Sequence, residues 1–297
     1  MKLKVWFLET RPQFLMLSVV LAFLGTSMAW HDGAFHLGNA ILALVGLLLC
    51  HISVNTLNDY YDYKSGIDLK VQRTPFSGGS GILPAAALNP SQVFWLGLTS
   101  FLLTVPIGIY FVLASGWRLL PLLIIGAICI LLYTQFLTKV GWPEWAPGVG
   151  LGALPILGMY FVQTGSYPLP AIVASIPSGI MVHNLLFLNE FPDAEADKTA
   201  GRKTLPISMG KKKASILFSI LTIVVYIWIV GWVLAGIMPI FCLIALLTLP
   251  FAIKAIQGAL KYRDMAKLGQ GMANNVLFIL LTHLLLGIGY ILDRVIA

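Results

Sequence analysis

Charged residues are scarce in this chain, 10% of 297 positions against roughly 25% in a soluble globular domain. Hydrophobic residues make up 58%, and the mean hydropathy is +0.88. That balance excludes a soluble enzyme. Cysteine is nearly missing: Cys50, Cys129 and Cys242 all lie inside apolar runs without metal-ligand spacing, which excludes a zinc site and a disulfide framework. A short apolar core followed by a small-residue cleavage site is absent near the N-terminus, so no cleaved signal peptide is expected. The net charge of +7 would suggest a nucleic-acid partner in a soluble protein. Here the basic residues sit in loops between apolar runs, where they set membrane topology, and no nucleic-acid partner is expected.

What the chain has in quantity is apolar runs, each of the ~18–20 residues needed to cross a hydrocarbon core of ~30 Å. They predict an all-α, polytopic membrane protein forming one domain over 1–297. Nine spans are expected, near 14–30, 38–57, 92–114, 119–137, 147–163, 169–188, 214–235, 239–256 and 274–292. Residues 1–12 form a short basic and aromatic lead, with Lys2, Lys4, Trp6 and Arg11, able to lie along the membrane surface. Long polar loops are expected after the second span, to about residue 89, and after the sixth, to residue 213.

Loop charges orient the chain. With the N-terminus inside, the outer segments carry only Arg118 and Arg294, and the other mapped basic residues fall inside. The asymmetry predicts a cell-membrane protein with its N-terminus and both long loops cytoplasmic and its C-terminus outside.

Two acidic stretches break the apolar pattern, NDYYDYKSGID (58–68) and NEFPDAEAD (189–197), each ending an even-numbered span. Residues four apart share a helical face, so Asn58 and Asp62 project together, with His51 and Asn55 extending the stripe into the membrane. Asp68 follows Gly66, where a turn can return it toward Asp62. Asn189, Asp193 and Asp197 repeat the spacing, with Pro192 expected to kink the helix. The repeated N-x-x-x-D, separated by four spans, suggests two halves of like orientation. Carboxylates near a membrane are costly and mark function. Mg²⁺ takes oxygen ligands, keeps several waters and bridges a few carboxylates to substrate phosphates, so two facing carboxylate groups can hold such ions on both sides of a diphosphate.

Together NDYYDYKSGID and NEFPDAEADKTAGRKTL resemble the UbiA superfamily of intramembrane prenyltransferases, most closely its menaquinone-biosynthesis branch. The resemblance covers most of the chain. It implies a helical bundle with its active site on the cytoplasmic side, a prenyl diphosphate donor, a small aromatic acceptor such as 1,4-dihydroxy-2-naphthoate, the lipid bilayer as surroundings, and Mg²⁺ as cofactor. Carried over residue by residue, it implies that Asn58, Asp62, Asp68, Asn189, Asp193 and Asp197 serve Mg²⁺ and diphosphate. Lys198 stands where branch members often have arginine, and Glu190 where they often have an amide or small polar residue.

Cations should complete a diphosphate site, and Arg73, Lys139, Lys198, Arg202 and Lys203 are placed to do so. Lys211–Lys213 begin a span, where topology alone explains them. Tyr133 is the candidate for stabilising an allylic cation through its ring face, and Asp59, Asp68 and Asp197 are candidates for removing the acceptor's proton. Trp117, Trp142 and Trp145 read as interface anchors, Gly148, Gly150 and Gly152 as close-packing positions, and Ser77–Gly81 as a flexible loop able to bend around phosphate. His183 and Asn184 read as buried polar groups that either bond within the bundle or face the acceptor. Two competing classes are a carrier or transporter of phosphorylated isoprenoids, and a CDP-alcohol phosphotransferase, whose D-G-x-x-A-R series is missing. Within the prenyltransferases the acceptor remains open among naphthoate, hydroxybenzoate, homogentisate, haem, chlorophyllide and a glycerol ether lipid.

Overall fold

The computed structural model describes residues 2–71 and 73–296, and of Lys2 the backbone alone. Among the described residues there is no strand. A short helix α1 (Lys2–Glu9) precedes α2 (Pro12–His31), α3 (Leu37–Ser65) and α4 (Pro90–Ser115). A bent pair follows, α5 (Trp117–Leu131) and α6 (Tyr133–Val140), then α7 (Trp145–Thr164), α8 (Leu169–Thr199), α9 (Lys211–Leu234), α10 (Ile240–Leu260) and α11 (Met265–Ile296). Apolar composition makes these segments helical in lipid, because only intrahelical bonding satisfies the backbone there. Ends carry local signals as well. Asn89 and Gln92 close a capping box on α4, and Gly66 ends α3 in the left-handed conformation at φ 80.

Among the described residues, eight helices are long and apolar enough to cross a membrane, and α5 with α6 makes a ninth if that pair is one span. The span expected at 119–137 is not one continuous helix: the pair bends by 63°. The break comes at Leu132, where the ladder slips to π-helical spacing and the Leu137 N–H bonds the Leu132 carbonyl at 3.1 Å. The polar loop expected directly after residue 188 is also corrected. Helix α8 continues to Thr199, so the whole second motif is helical, and it runs on through Pro192. The reason is tertiary: the motif's polar face turns inward, with Asn189, Glu190 and Asp197 all buried.

Helices α2, α8 and α11 form the centre of the bundle, with about half or more of their apolar windows buried. Gly148 and Gly152 let α7 approach α8 closely, since a Cβ on Gly152 would stand 2.8 Å from the Gly179 Cα. Buried polar groups bond one another across the core. His183 meets Trp142 Nε1 and Asn184, and Asn184 donates to Phe218 O and Thr222. Of the two readings of His183 and Asn184, bonding within the bundle is the one observed. Such contacts contribute ~0.6–2 kcal/mol each inside a membrane. Helices α3 and α4 are only 17% buried in their apolar windows. They form a cavity wall on one side and leave an exposed apolar surface on the other.

Candidate active site

The first motif occupies the last two turns of α3. Asn58 and Asp62 lie one turn apart, as the spacing predicts, and Asn58 Nδ2 donates to Asp62 Oδ2 at 3.1 Å. The same amide nitrogen reaches Thr134 Oγ1 at 3.1 Å, so the bend before α6 is tied directly to the motif. Beyond Gly66 a single 3₁₀ turn, Ile67–Leu69, returns Asp68 to the interior. Burial, and after it the Asp62 and Asp59 carboxylates, push the Asp68 carboxyl up to about 8.

The second motif lies on α8, with Asn189, Asp193 and Asp197 at successive turns of one face. Arg202, just past the helix end, joins the two motifs. Its Nη1 donates to Asp197 Oδ1 at 3.0 Å and its Nη2 to Asp62 Oδ1. Burial alone would lower the affinity of this guanidinium for its proton, but Asp62 and Asp197 outweigh it and raise the pKa. The glycine-rich loop 77–81 closes a third side. Gly78 N–H donates to Asp193 Oδ2 at 3.2 Å, and Ser80 N–H to Asp59 Oδ2 at 2.8 Å. Gly79 passes so close to Asp68 that a Cβ there would stand 3.0 Å from Oδ2.

The other expected cations are on the periphery. Lys139, Lys198 and Lys203 are exposed, and Arg73 is exposed with its Nη2 donating to the Ser80 carbonyl. The backbone brings two of them into one neighbourhood: Lys203 N–H bonds Thr138 O at 2.9 Å, and Trp142 N–H bonds Lys203 O at 3.2 Å.

Asn58, Tyr133 and Asn189 face an otherwise largely apolar cavity of about 570 Å³, joined at its polar end by Arg11, His51 and Asn55. Its lining runs down α3 from Asn58 to Ala43, ~22 Å at the helical rise. Sequence reasoning did not single out Glu9, Thr134 or Glu144 for this end. Glu144 is completely buried, accepts the Leu205 N–H at 2.6 Å, and faces Glu190 within hydrogen-bonding reach. No local signal marks a carboxylate for burial when its partners lie elsewhere in the chain.

The donor set suits a hard divalent cation. Asn189 Oδ1 and Asp193 Oδ1 are buried without a hydrogen-bond partner, which leaves oxygens directed inward and unsatisfied. Among the described residues, no three acidic, histidine or cysteine side chains converge on one point.

A model of the UbiA prenyltransferase family matches residues 18–282. The chain belongs to the UbiA prenyltransferase family. It is therefore a prenyltransferase and a multi-pass membrane protein. Over 252 residues it is 31% identical to the 1,4-dihydroxy-2-naphthoate octaprenyltransferase of Bacillus subtilis (strain 168), covering 84% of this chain and 80% of that one. Its fold is similar to that of a UbiA homolog from Aeropyrum pernix K1, with TM-score 0.70 and 17% identity over 94% of this chain and 97% of that one. It is also similar to a UbiA homolog from Archaeoglobus fulgidus bound to DMAPP and Mg²⁺, with TM-score 0.53 and 15% identity over 92% of this chain and 98% of that one.

Proposed function

We propose that this UbiA-family enzyme transfers a polyprenyl group from a prenyl diphosphate to an aromatic acceptor of the menaquinone type, 1,4-dihydroxy-2-naphthoate, in a Mg²⁺-dependent reaction within the membrane. The observation that carries this reading is the meeting of two N-x-x-x-D motifs around Arg202, at the polar end of an apolar cavity. The similarity to the Bacillus subtilis naphthoate octaprenyltransferase supports the acceptor. The Archaeoglobus homolog bound to DMAPP and Mg²⁺ supports the donor and the metal.

Asn58, Asp62, Asp68, Asn189, Asp193 and Asp197 would hold Mg²⁺, which when bound supplies positive charge to the leaving diphosphate. Arg202 adds a fixed guanidinium beside the same oxygens, and Arg73, Lys139, Lys198 and Lys203 raise the positive potential around them. The prenyl tail lies in the apolar cavity, with the reacting carbon at its polar end beside Tyr133. There the ring face stabilises the allylic cation left by C–O cleavage. The cavity walls exclude water that would quench that cation. The acceptor ring carbon forms the new C–C bond, and its proton passes to a carboxylate of this end, among Asp59, Asp68 and Asp197.

Loop charges support the N-terminus and both acidic motifs on the cytoplasmic side, and nine spans, counting α5 and α6 as one, would then leave the C-terminus outside. The chain acts as a single domain over 1–297. The test is diphosphate release by purified protein given geranylgeranyl diphosphate, with and without Mg²⁺ and naphthoate. Release that needs both, with a prenylated naphthoate as product, is expected. Asp62→Ala and Asp193→Ala should each lower kcat/KM by at least ~10³-fold, ~4 kcal/mol of transition-state stabilisation. Wild-type rates in either variant would refute the site.

A further inference from the structure

Glu9 ends helix α1, ahead of the first long apolar helix, yet its side chain is 0% exposed. Its Oε2 accepts the Ser80 hydroxyl at 2.9 Å, and its Oε1 is buried without a partner. Ser80 is the junction of the glycine-rich loop. Besides giving its N–H to Asp59, it accepts the Ile82 N–H on its hydroxyl oxygen at 3.1 Å, and its carbonyl takes Arg73. The loop thus touches Asp193, Asp59 and Asp68 on one side and Glu9 on the other. The corner after Glu9 is fastened too: Asn55 Nδ2 donates to the Thr10 carbonyl at 3.0 Å, and Arg11 pairs with Asp59 at 3.7 Å.

We propose that Glu9 is a positioning residue for the donor-binding loop, the fastener by which the N-terminal helix holds Ser77–Gly81 against the two acidic motifs. The proposal rests on the donor assignment made above for this end of the molecule. In the structure, Gly78 N–H is held by Asp193. Asp193 thus has its other oxygen, Oδ1, unpartnered and free for a cation, and the loop's backbone N–H groups lie beside the carboxylates that would hold it, as successive loop N–H groups do in anion-binding nests. The Glu9–Ser80 bond does not depend on Asp193 and keeps the loop in register.

The state of Glu9 suits this role. Burial first, then Asp59 and to a smaller degree Asp68, push its carboxyl up to about 8, against opposing effects of Ser80 and Arg11. At neutral pH it is the neutral acid, an acceptor on one oxygen and a donor on the other. Glutamine has the same shape and the same donor–acceptor pair, whereas alanine has neither.

The test uses the full chain, purified in detergent, with two readouts. One is amide hydrogen exchange across 74–82 without metal or donor; the other is steady-state turnover against prenyl diphosphate concentration. Glu9→Ala should speed exchange in this loop by about tenfold and raise the donor KM by about tenfold, while kcat changes less than about threefold. Ser80→Ala should do the same, the double variant should be no worse than either single one, and Glu9→Gln should match wild type on both readouts. Unchanged loop exchange in Glu9→Ala overturns the proposal, and so does an equal rise across the whole protein. Faster loop exchange with an unchanged donor KM would refute the donor assignment itself, and the proposal with it.

Discussion

Replacing Arg202 by methionine keeps an unbranched apolar stem in place of the side chain and removes its charge. Asp62 and Asp197 are then left facing each other, with side chains 11% and 3% exposed. Removing one partner of a buried ion pair costs ~3–5 kcal/mol, because the remaining charge is uncompensated. Asp62 keeps some contact with solvent, so the lower end applies, ~3 kcal/mol. For a chain of this size each kcal/mol moves the melting temperature by roughly 2–4 °C, so a fall of ~6–12 °C is expected in chelator. Mg²⁺ should restore part of it, since it takes the same oxygens, and should stabilise Arg202→Met more than wild type. Turnover should still suffer. A fixed donor beside a developing anion is worth ~10²-fold in kcat, ~2.7 kcal/mol, and Arg202→Lys should recover only part of it, because lysine lacks the two-pronged fork. The assays are thermal unfolding in detergent with EDTA or millimolar Mg²⁺, and Mg²⁺-dependent diphosphate release. A variant that melts with wild type in EDTA and gains nothing from Mg²⁺ would refute the view that Arg202 neutralises the two motifs.

Three other outcomes are expected. In the metal-free protein Glu9 rises from 4.5 to about 8 and Asp68 from 3.8 to about 8, so across that window the folded state binds more protons than the unfolded and stability must fall as pH rises. Melting temperatures taken from about pH 5 to about pH 9 should decline, and Glu9→Gln should flatten the slope. Tyr133→Phe keeps the ring that lines the cavity and should retain kcat within about threefold, whereas Tyr133→Ala should lose ~2–30-fold, the ~0.5–2 kcal/mol of a cation–ring contact. Gly126 faces the cavity with nothing within 4 Å of a Cβ built on it. Gly126→Phe should fold, and should raise the KM for geranylgeranyl diphosphate by about tenfold while sparing dimethylallyl diphosphate, as steric discrimination in an apolar pocket allows; equal effects on both donors would place the tail elsewhere.

Much of the candidate site was legible because its signal is local. The four-residue spacing of Asn58 with Asp62, and of Asn189 with Asp193 and Asp197, is a property of any helix, and the structure keeps each set on one face. Gly66 announced the turn that buries Asp68. The readings that changed were those in which a distant partner outweighs local pattern. Residues 189–199 are polar enough to read as loop, yet they stay helical because their carboxylates meet Arg202 and the 77–81 loop. Leu119–Leu137 is apolar except near Tyr133–Gln135 and reads as one span, yet it bends where Thr134 is tied to Asn58.

Composition and periodicity by themselves determined the class of this protein. Scarce charge and repeated apolar runs leave a helical membrane bundle as the way to satisfy its backbone, and two matched acidic motifs at span ends mark the candidate site. Only the tertiary structure decided that Arg202 lies between those motifs, that a cavity opens beside Tyr133, and that Glu9 is buried against Ser80. Helical periodicity is set by neighbours a few residues apart, so it can be read along the chain. The fate of a buried charge is set by which groups from other helices surround it, and that information exists only once the helices have packed.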